Sequence, residues 1–316
     1  MTHFEYNADR PAPVNDAFPL LAVVGPTGAG KSALALRLAA EFGGEIVNCD
    51  SVQVYKELDI GSAKTPPGER LGIPHHLLDL IPPDGELTAG DYSRLAGEVL
   101  LEIRARGRLP VIVGGTGFYL RALLHGLSPA PIRNPPLRDR LAALALRRPA
   151  ALHRFLRLRD PSAAARIHPN DHQKLIRAIE LAGQITGPRQ ELAGFQPLKI
   201  GLNPDRAALY AKLNQRAAWM FENGLLAETA ALLHSGISPT AKALSTLGYR
   251  QAVAVLTEQL TLAAAIADCQ RHTRQYAKRQ LTWFRAEPEN HWLPGFGDDP
   301  QIQQLAIARA RPFSIR

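Results

Sequence analysis

The stretch Gly25-Pro26-Thr27-Gly28-Ala29-Gly30-Lys31-Ser32 fits the pattern Gly-x-x-x-x-Gly-Lys-[Ser/Thr] and lies between an apolar run, Leu20 to Val24, and a helix-period stretch, Ser32 to Phe42. No other segment constrains the fold as strongly. Such a phosphate-binding loop (P-loop) works only where a strand delivers it and a helix leaves it, because loop amides and the helix N-terminus together hold phosphate oxygens. The six residues Gly25 to Gly30 are therefore expected to form the cradle, Lys31 to bridge phosphates and Ser32 to hold Mg²⁺. A Gly-rich turn without chemistry is the bland alternative, and the flanking strand and helix argue against it.

Further short apolar runs, Ile46-Val47, Val111 to Val113 and Ile200 to Leu202, alternate with helical stretches such as Tyr92 to Arg106. This predicts an α/β fold with a P-loop NTPase-like parallel sheet core. From Ser128 to Pro197 no strand-like run is visible, and Pro149, Pro161 and Pro169 divide the segment into Arg-rich helical pieces. The last piece has Asn170 or Asp171 as its N-cap and Gly187 as its stop, with Gln173 and Arg177 on one polar face. Helices punctuated by Gly224, Gly236 and Gly248 fill about 205 to 286, and the tail from Glu287 is weakly patterned. The expected organisation is a polar tail over 1–18, a core with C-terminal helices over 19–127 and 198–316, and a helical insertion over 128–197.

With 46% hydrophobic residues, 25 Gly and 25 Pro in 316 residues, the chain is neither disordered nor collagen-like. Its formal charge of +8 is concentrated. Residues 128–197 hold 12 Lys plus Arg against 5 Asp plus Glu, and residues 271–285 hold five basic residues and no acid, so the remainder is slightly acidic. Two localised basic regions favour a polyanionic partner. Cys49 and Cys269 lack any CxxC companion, which speaks against a disulfide framework or zinc module and suits a reducing cytosol. Without a signal-like start or an apolar run of roughly eighteen residues, no membrane partner is expected and the cytoplasm is the expected location.

The strand Leu109 to Val113 runs into Gly114-Gly115-Thr116-Gly117 with no acid where an ordinary ATPase places its metal-binding Asp. Asp50, after Glu45 to Cys49, is the strand-end acid in good position, either near magnesium or as a general base. Thr116 reaches the same sheet edge, where α/β sheets bind ligands. His75 and His76 lack acidic or thiol company and suit hydrogen bonding better than metal binding.

Several blocks then go beyond the loop. Asp50-Ser51-Val52-Gln53-Val54-Tyr55, Leu58 to Lys64, Pro74 to Asp79, Val113 to Arg121 and Arg274 to Arg285 stand in order along the chain. Together with the P-loop they resemble the signature of the tRNA dimethylallyltransferases. The resemblance implies transfer of a dimethylallyl group from its diphosphate to N6 of the adenine 3′ of the anticodon, in tRNAs reading codons that begin with U. It implies that the P-loop holds the prenyl diphosphate and that no ATP is hydrolysed. Mg²⁺ is the expected cofactor, helping Lys31 and the loop amides neutralise the diphosphate, and the protein is expected to be a monomer. By the same resemblance Asp50 is the base, Thr116 bonds near the bridging oxygen and Arg216 contacts the diphosphate. It assigns tRNA contacts, at the anticodon stem-loop, to Asp50, Ser51, Val52, Gln53, Thr116 and Arg138, to Gln173, Lys174 and Arg177, to Arg250, and to Arg274, Lys278, Arg279 and Gln280. A channel is expected, with RNA entering opposite the diphosphate. Val52 stands where a basic residue is common, and Leu244-Ser245-Thr246-Leu247 where many members carry an Arg-Cys pair.

On the helix over 261–286, Arg271, Arg274, Lys278 and Arg285 form a stripe opposite Cys269, Tyr276, Gln280 and Trp283. A solvated charged face is the ordinary reading, and the lack of acids from Arg271 to Arg285 tilts it to RNA. Two other functions compete: a P-loop kinase of a small metabolite, and a non-catalytic nucleotide-gated RNA-binding module.

Overall fold

Strand β1 (Phe18–Val24) delivers the P-loop and helix α1 (Lys31–Phe42) leaves it, in a computed structural model that describes residues 17–128, 134–182, 187 and 189–313. The polar tail expected over 1–18 falls outside those residues except for its last two. The chain continues through β2 (Gly44–Asn48), a two-residue β3 (His75–His76), α2 (Ala89–Ala105), β4 (Leu109–Val113) and α3 (Gly117–His125). Four helices follow: α4 (Pro135–Arg147), α5 (Ala151–Arg159), α6 (Pro161–Arg166) and α7 (His172–Leu181). The sheet resumes with β5 (Phe195–Leu202), then α8 (Arg206–Glu222), α9 (Leu225–His234), α10 (Tyr249–Leu256), α11 (Leu262–Ala286), β6 (Asn290–Leu293) and α12 (Pro300–Ala310).

The six strands are all parallel in the order β3-β2-β4-β1-β5-β6. At its centre β1 pairs Leu21 with Val111 of β4 and Val23 with Ile200 of β5. Alternation along a strand sends successive side chains to opposite faces. Leu21 and Val23 accordingly pack with Leu34 and Leu38 of α1 and Ile302 and Ile307 of α12, while Leu20, Ala22 and Val24 join Leu100 and Ile103 of α2. Both faces are covered, as a parallel sheet requires. Helix α2 is started by a capping box, the Thr88 hydroxyl accepting from the Asp91 amide and Asp91 from the Thr88 amide.

Two compact units emerge, one formed by Met1–Leu124 with Glu191–Arg316, the other by His125–Gln190. In the second, Leu141, Leu152, Leu156, Leu175, Ile176 and Ile179 form a small apolar core. Asp171 is the N-cap of α7, accepting from the Lys174 amide. That helix ends at Leu181, six residues before the Gly187 expected to stop it, so Gly187 plays no part in its termination.

The weakly patterned tail holds more structure than expected. Strand β6 is a short edge strand whose Trp292 ring lies against Gly201, where a Cβ would come within 2.7 Å. Helix α12, capped by Asp299 with Pro300 in its first turn, buries Ile302, Ala306 and Ile307. Strand β5, expected from Ile200, extends back to Phe195 because that end pairs with Phe18 of β1. His76 Nε2 lies 2.7 Å from Glu45 Oε2 and His75 Nδ1 lies 2.8 Å from Ile73 O, so both histidines have hydrogen-bonding roles. Among the described residues no helix is long and apolar enough to cross a membrane.

Candidate active site

The P-loop adopts backbone shapes that glycine alone enters easily. Gly28 and Gly30 have φ of 78° and 80°, and a Cβ on Gly30 would stand 2.8 Å from the Gly297 amide. Gly30 is also the N-cap of α1, which starts without any side-chain cap, so first-turn amides are left for an anion. Lys31 donates to Pro26 O at 2.9 Å. Burial pushes its ammonium down to about 8, against the attraction of Asp50 and helped by repulsion from Arg216.

Arg216, carried by α8, donates to Thr27 Oγ1 at 2.6 Å, and burial lowers its guanidinium from the ordinary arginine value. Two cations thus flank the cradle, and among the described residues neither is in an ion pair with a carboxylate. The other side of Thr27 is also held. Its amide donates to Gln280 Oε1 at 2.7 Å, and Gln280 Nε2 donates to Gly115 O at 2.8 Å. Gln280, expected at the RNA, is buried, with both ends of its amide on backbone groups of the two loops.

At the end of β2, Asp50 N donates to Asn48 Oδ1 at 3.1 Å and Asp50 Oδ1 accepts from the Val52 amide at 2.9 Å. The facing Gly114 approaches so closely that a Cβ would stand 2.0 Å from Cys49 O, which requires glycine there. Thr116 Oγ1 accepts from the Ser51 amide at 2.9 Å and lies 3.2 Å from Ser51 Oγ. Asp50, Ser51 and Thr116 are therefore brought to one sheet edge, beside the cradle.

Two cavities adjoin there. One, of about 220 Å³, is lined by the P-loop, Lys31, Ser32 and Gly114. The other, of about 380 Å³, is lined by Ser51, Val52, Gly248, Arg250, Tyr276 and Arg279 among others. Thr27, Asp50, Ser62 and Arg216 border both. Leu213, Ala217 and Met220 of α8 also face the larger cavity. Their helical spacing with Arg216 was a readable signal for this wall, and no expectation included them.

The remaining expected RNA residues divide. Gln53 lines the smaller cavity, and its Nε2 donates to Ser62 O and Ala63 O at 3.1 and 3.2 Å. Lys278 and Arg279 border an open groove of about 580 Å³ with Trp283. Arg274 donates to Asn214 Oδ1 at 2.6 Å, and Arg271 pairs with Asp268, so the stripe on α11 is partly engaged inside the protein. In the unit His125–Gln190, Arg138 and Arg177 lie 2.9 and 3.2 Å from Glu180 Oε2 and Lys174 lies 2.7 Å from Asp171, while Gln173 is exposed. Arg138 thus ties α4 to α7 through the buried Glu180 carboxylate, which Arg177 approaches from within α7.

The profile of the IPP transferase family matches residues 53–287. Over 303 residues the chain is 52% identical to the tRNA dimethylallyltransferase of Solibacter usitatus, covering 93% of this chain and 99% of that one. The full-length tRNA isopentenylpyrophosphate transferase of Bacillus halodurans superposes with a TM-score of 0.70 at 36% identity, covering 94% of this chain and 98% of that one. A eukaryotic dimethylallyltransferase acting on tRNA superposes at 0.77 with 26% identity, covering 94% and 79% respectively.

Proposed function

The chain belongs to the IPP transferase family, and from that premise we propose that it transfers the dimethylallyl group of dimethylallyl diphosphate to N6 of the adenine at tRNA position 37, beside the anticodon, in tRNAs reading codons that begin with U. The observation that carries this reading is the pair of adjoining cavities, one built for a phosphate chain and one large enough for a base, meeting at Asp50. None of the similar proteins described above is a metabolite kinase.

In this reading the diphosphate occupies the smaller cavity, against the P-loop amides, Lys31 and Arg216. The target base, drawn out of the anticodon loop as chemistry on a base requires, occupies the larger one. The bond from the allylic C1 to the diphosphate oxygen breaks and a bond from C1 to N6 forms. Charge on the departing diphosphate is met by Lys31, Arg216 and the α1 N-terminus. Adenine N6 is a poor nucleophile because its lone pair is delocalised, so a group that accepts its proton as the bond forms assists the reaction, and Asp50 is placed for that. Thr116, fixed by Ser51, presents its hydroxyl at the same edge.

Ser32 is exposed in the first turn of α1 and lines the smaller cavity with Asp50, and no group of three or more metal-ligating side chains gathers among the described residues. That sparse oxygen set fits Mg²⁺, which is commonly held by one or two side chains plus substrate phosphates. When bound through Ser32 it supplies further neutralisation of the diphosphate. For the RNA we propose Ser51, Val52, Arg250 and Arg279 around the base, and Lys278 and the exposed Gln173 on phosphates, with the protein working as a cytoplasmic monomer.

Incubation with labelled dimethylallyl diphosphate, Mg²⁺ and tRNA tests the reading. Label in the RNA, lost when position 37 is not adenine, is the expected result; tRNA binding without label would overturn it.

A further inference from the structure

One carboxylate that lines neither cavity organises part of the larger one's lining. Glu228, in the first turn of α9, accepts from three consecutive backbone amides: Asp59 at 3.0 Å and Ile60 at 2.8 Å on Oε2, and Gly61 at 3.3 Å on Oε1. Successive amides converging on one anion form a nest of the kind that elsewhere holds phosphate. Here the chain fills it with its own side chain. The Tyr249 hydroxyl donates to Glu228 Oε1 at 2.5 Å, from a ring that is fully buried at the start of α10. Gly61 makes room for that ring, since a Cβ on it would stand 2.5 Å from Tyr249 Cε2.

Both anchored segments line the larger cavity. Gly61 closes the nest and Ser62 follows it; both border the larger cavity, and Ser62 the smaller as well. Gly248 and Arg250 flank Tyr249 and border the larger one. The nested loop is held a second time by Gln53, through Ser62 O and Ala63 O. Residues far apart in sequence are thereby set at a fixed separation by a single side chain.

We propose that Glu228, with Tyr249, is a positioning residue for the transfer. It touches neither substrate; it holds the Gly61-Ser62 segment against the Gly248-Arg250 segment in the lining of the larger cavity, and so sets the placement of the base relative to the diphosphate. The proposal rests on the reaction assigned above. Misplacement by about 1 Å can cost roughly a hundredfold in rate, so the effect belongs in turnover rather than in diphosphate affinity.

Glu228→Gln keeps the size but turns an amide N–H₂ toward backbone donors, and Tyr249→Phe removes only the hydroxyl. Single-turnover transfer at saturating tRNA and diphosphate is expected to fall about 10- to 100-fold in Glu228→Gln and less in Tyr249→Phe, with the double variant no worse than Glu228→Gln. The affinity for inorganic pyrophosphate stays within about twofold of wild type. Amide hydrogen exchange at residues 59–63 rises, while exchange in β1 and β4 does not. Unchanged turnover in a folded Glu228→Gln protein overturns the proposal, as does unchanged exchange at 59–63, or a loss of activity that merely tracks the folded fraction. If wild type itself transfers nothing, the assigned reaction fails separately, and the exchange data still decide whether Glu228 holds the loop.

Discussion

Gln280, deep in α11, accepts the Thr27 amide at 2.7 Å across 253 positions of sequence, and so fixes a P-loop backbone group from the helix that carries the basic stripe. Replacing it by Leu leaves the Thr27 amide and Gly115 O without their partner. Losing a buried partner of this kind costs about 1–3 kcal/mol, so Gln280→Leu is expected to weaken binding of a non-reactive thio-analogue of the diphosphate about tenfold or more, measured by calorimetry. Unaltered affinity would mean that the P-loop keeps its shape without the clamp.

Burial holds the Lys31 ammonium near 8 in the free protein. Below that value it is charged and meets the diphosphate; above it the charge is lost. The value of kcat/KM for dimethylallyl diphosphate should therefore decline as pH rises through about 8, while the same quantity for Lys31→Met, though much lower, should lack that break.

Removal of the carboxylate in Asp50→Ala should lower kcat by about 10²- to 10⁴-fold, the usual range for a lost general base. Affinity for tRNA, read by filter binding, should stay near normal. A loss confined to affinity would assign Asp50 to recognition instead.

Lys278 is exposed on the groove beside Trp283. If it meets a phosphate, Lys278→Ala should weaken tRNA binding and reduce the slope of log affinity against log salt by about 0.7–0.9. An unchanged slope would return the α11 stripe to a solvated face.

Glu45, buried at the start of β2, is held below the ordinary carboxylate range chiefly by hydrogen bonds from Arg106, assisted by His76 and opposed by its burial. A depressed folded value means that the pair stabilises the fold above the ordinary carboxylate range and loses that contribution as pH falls through the lowered value. Arg106 is half exposed, so solvent screens the effect. Glu45→Gln should lower Tm by about 2–4 °C at neutral pH, with the gap closing in acid, as followed by circular dichroism.

What could be read from the residues alone was what is local. The P-loop, its strand and its helix are contiguous, and Asp50 follows its strand directly, so spacing and apolar period suffice for them. Thr116 could be placed at the sheet edge because it follows its strand, while its role and the whole of Arg216 came only through resemblance, since nothing nearby in sequence marks them. The Gln280 clamp and the Glu228 nest were not legible at all. Both are polar contacts between distant segments, and a lone Glu on a helix looks like any solvated acid. The edge strands β3 and β6 were missed because two and four residues carry too little alternation to register.

The placement of β1 between β4 and β5 bears on how the protein is made. Its β4 neighbour has been synthesised by Val113, but its other neighbour starts only at Phe195, after the whole His125–Gln190 unit. At about 5–20 residues per second, the nascent chain spends several seconds with one edge of its most apolar strand unpaired. An open edge of that kind invites pairing with other chains. The helical His125–Gln190 unit stands between the two halves in sequence, so the time taken to translate it sets the length of that exposure.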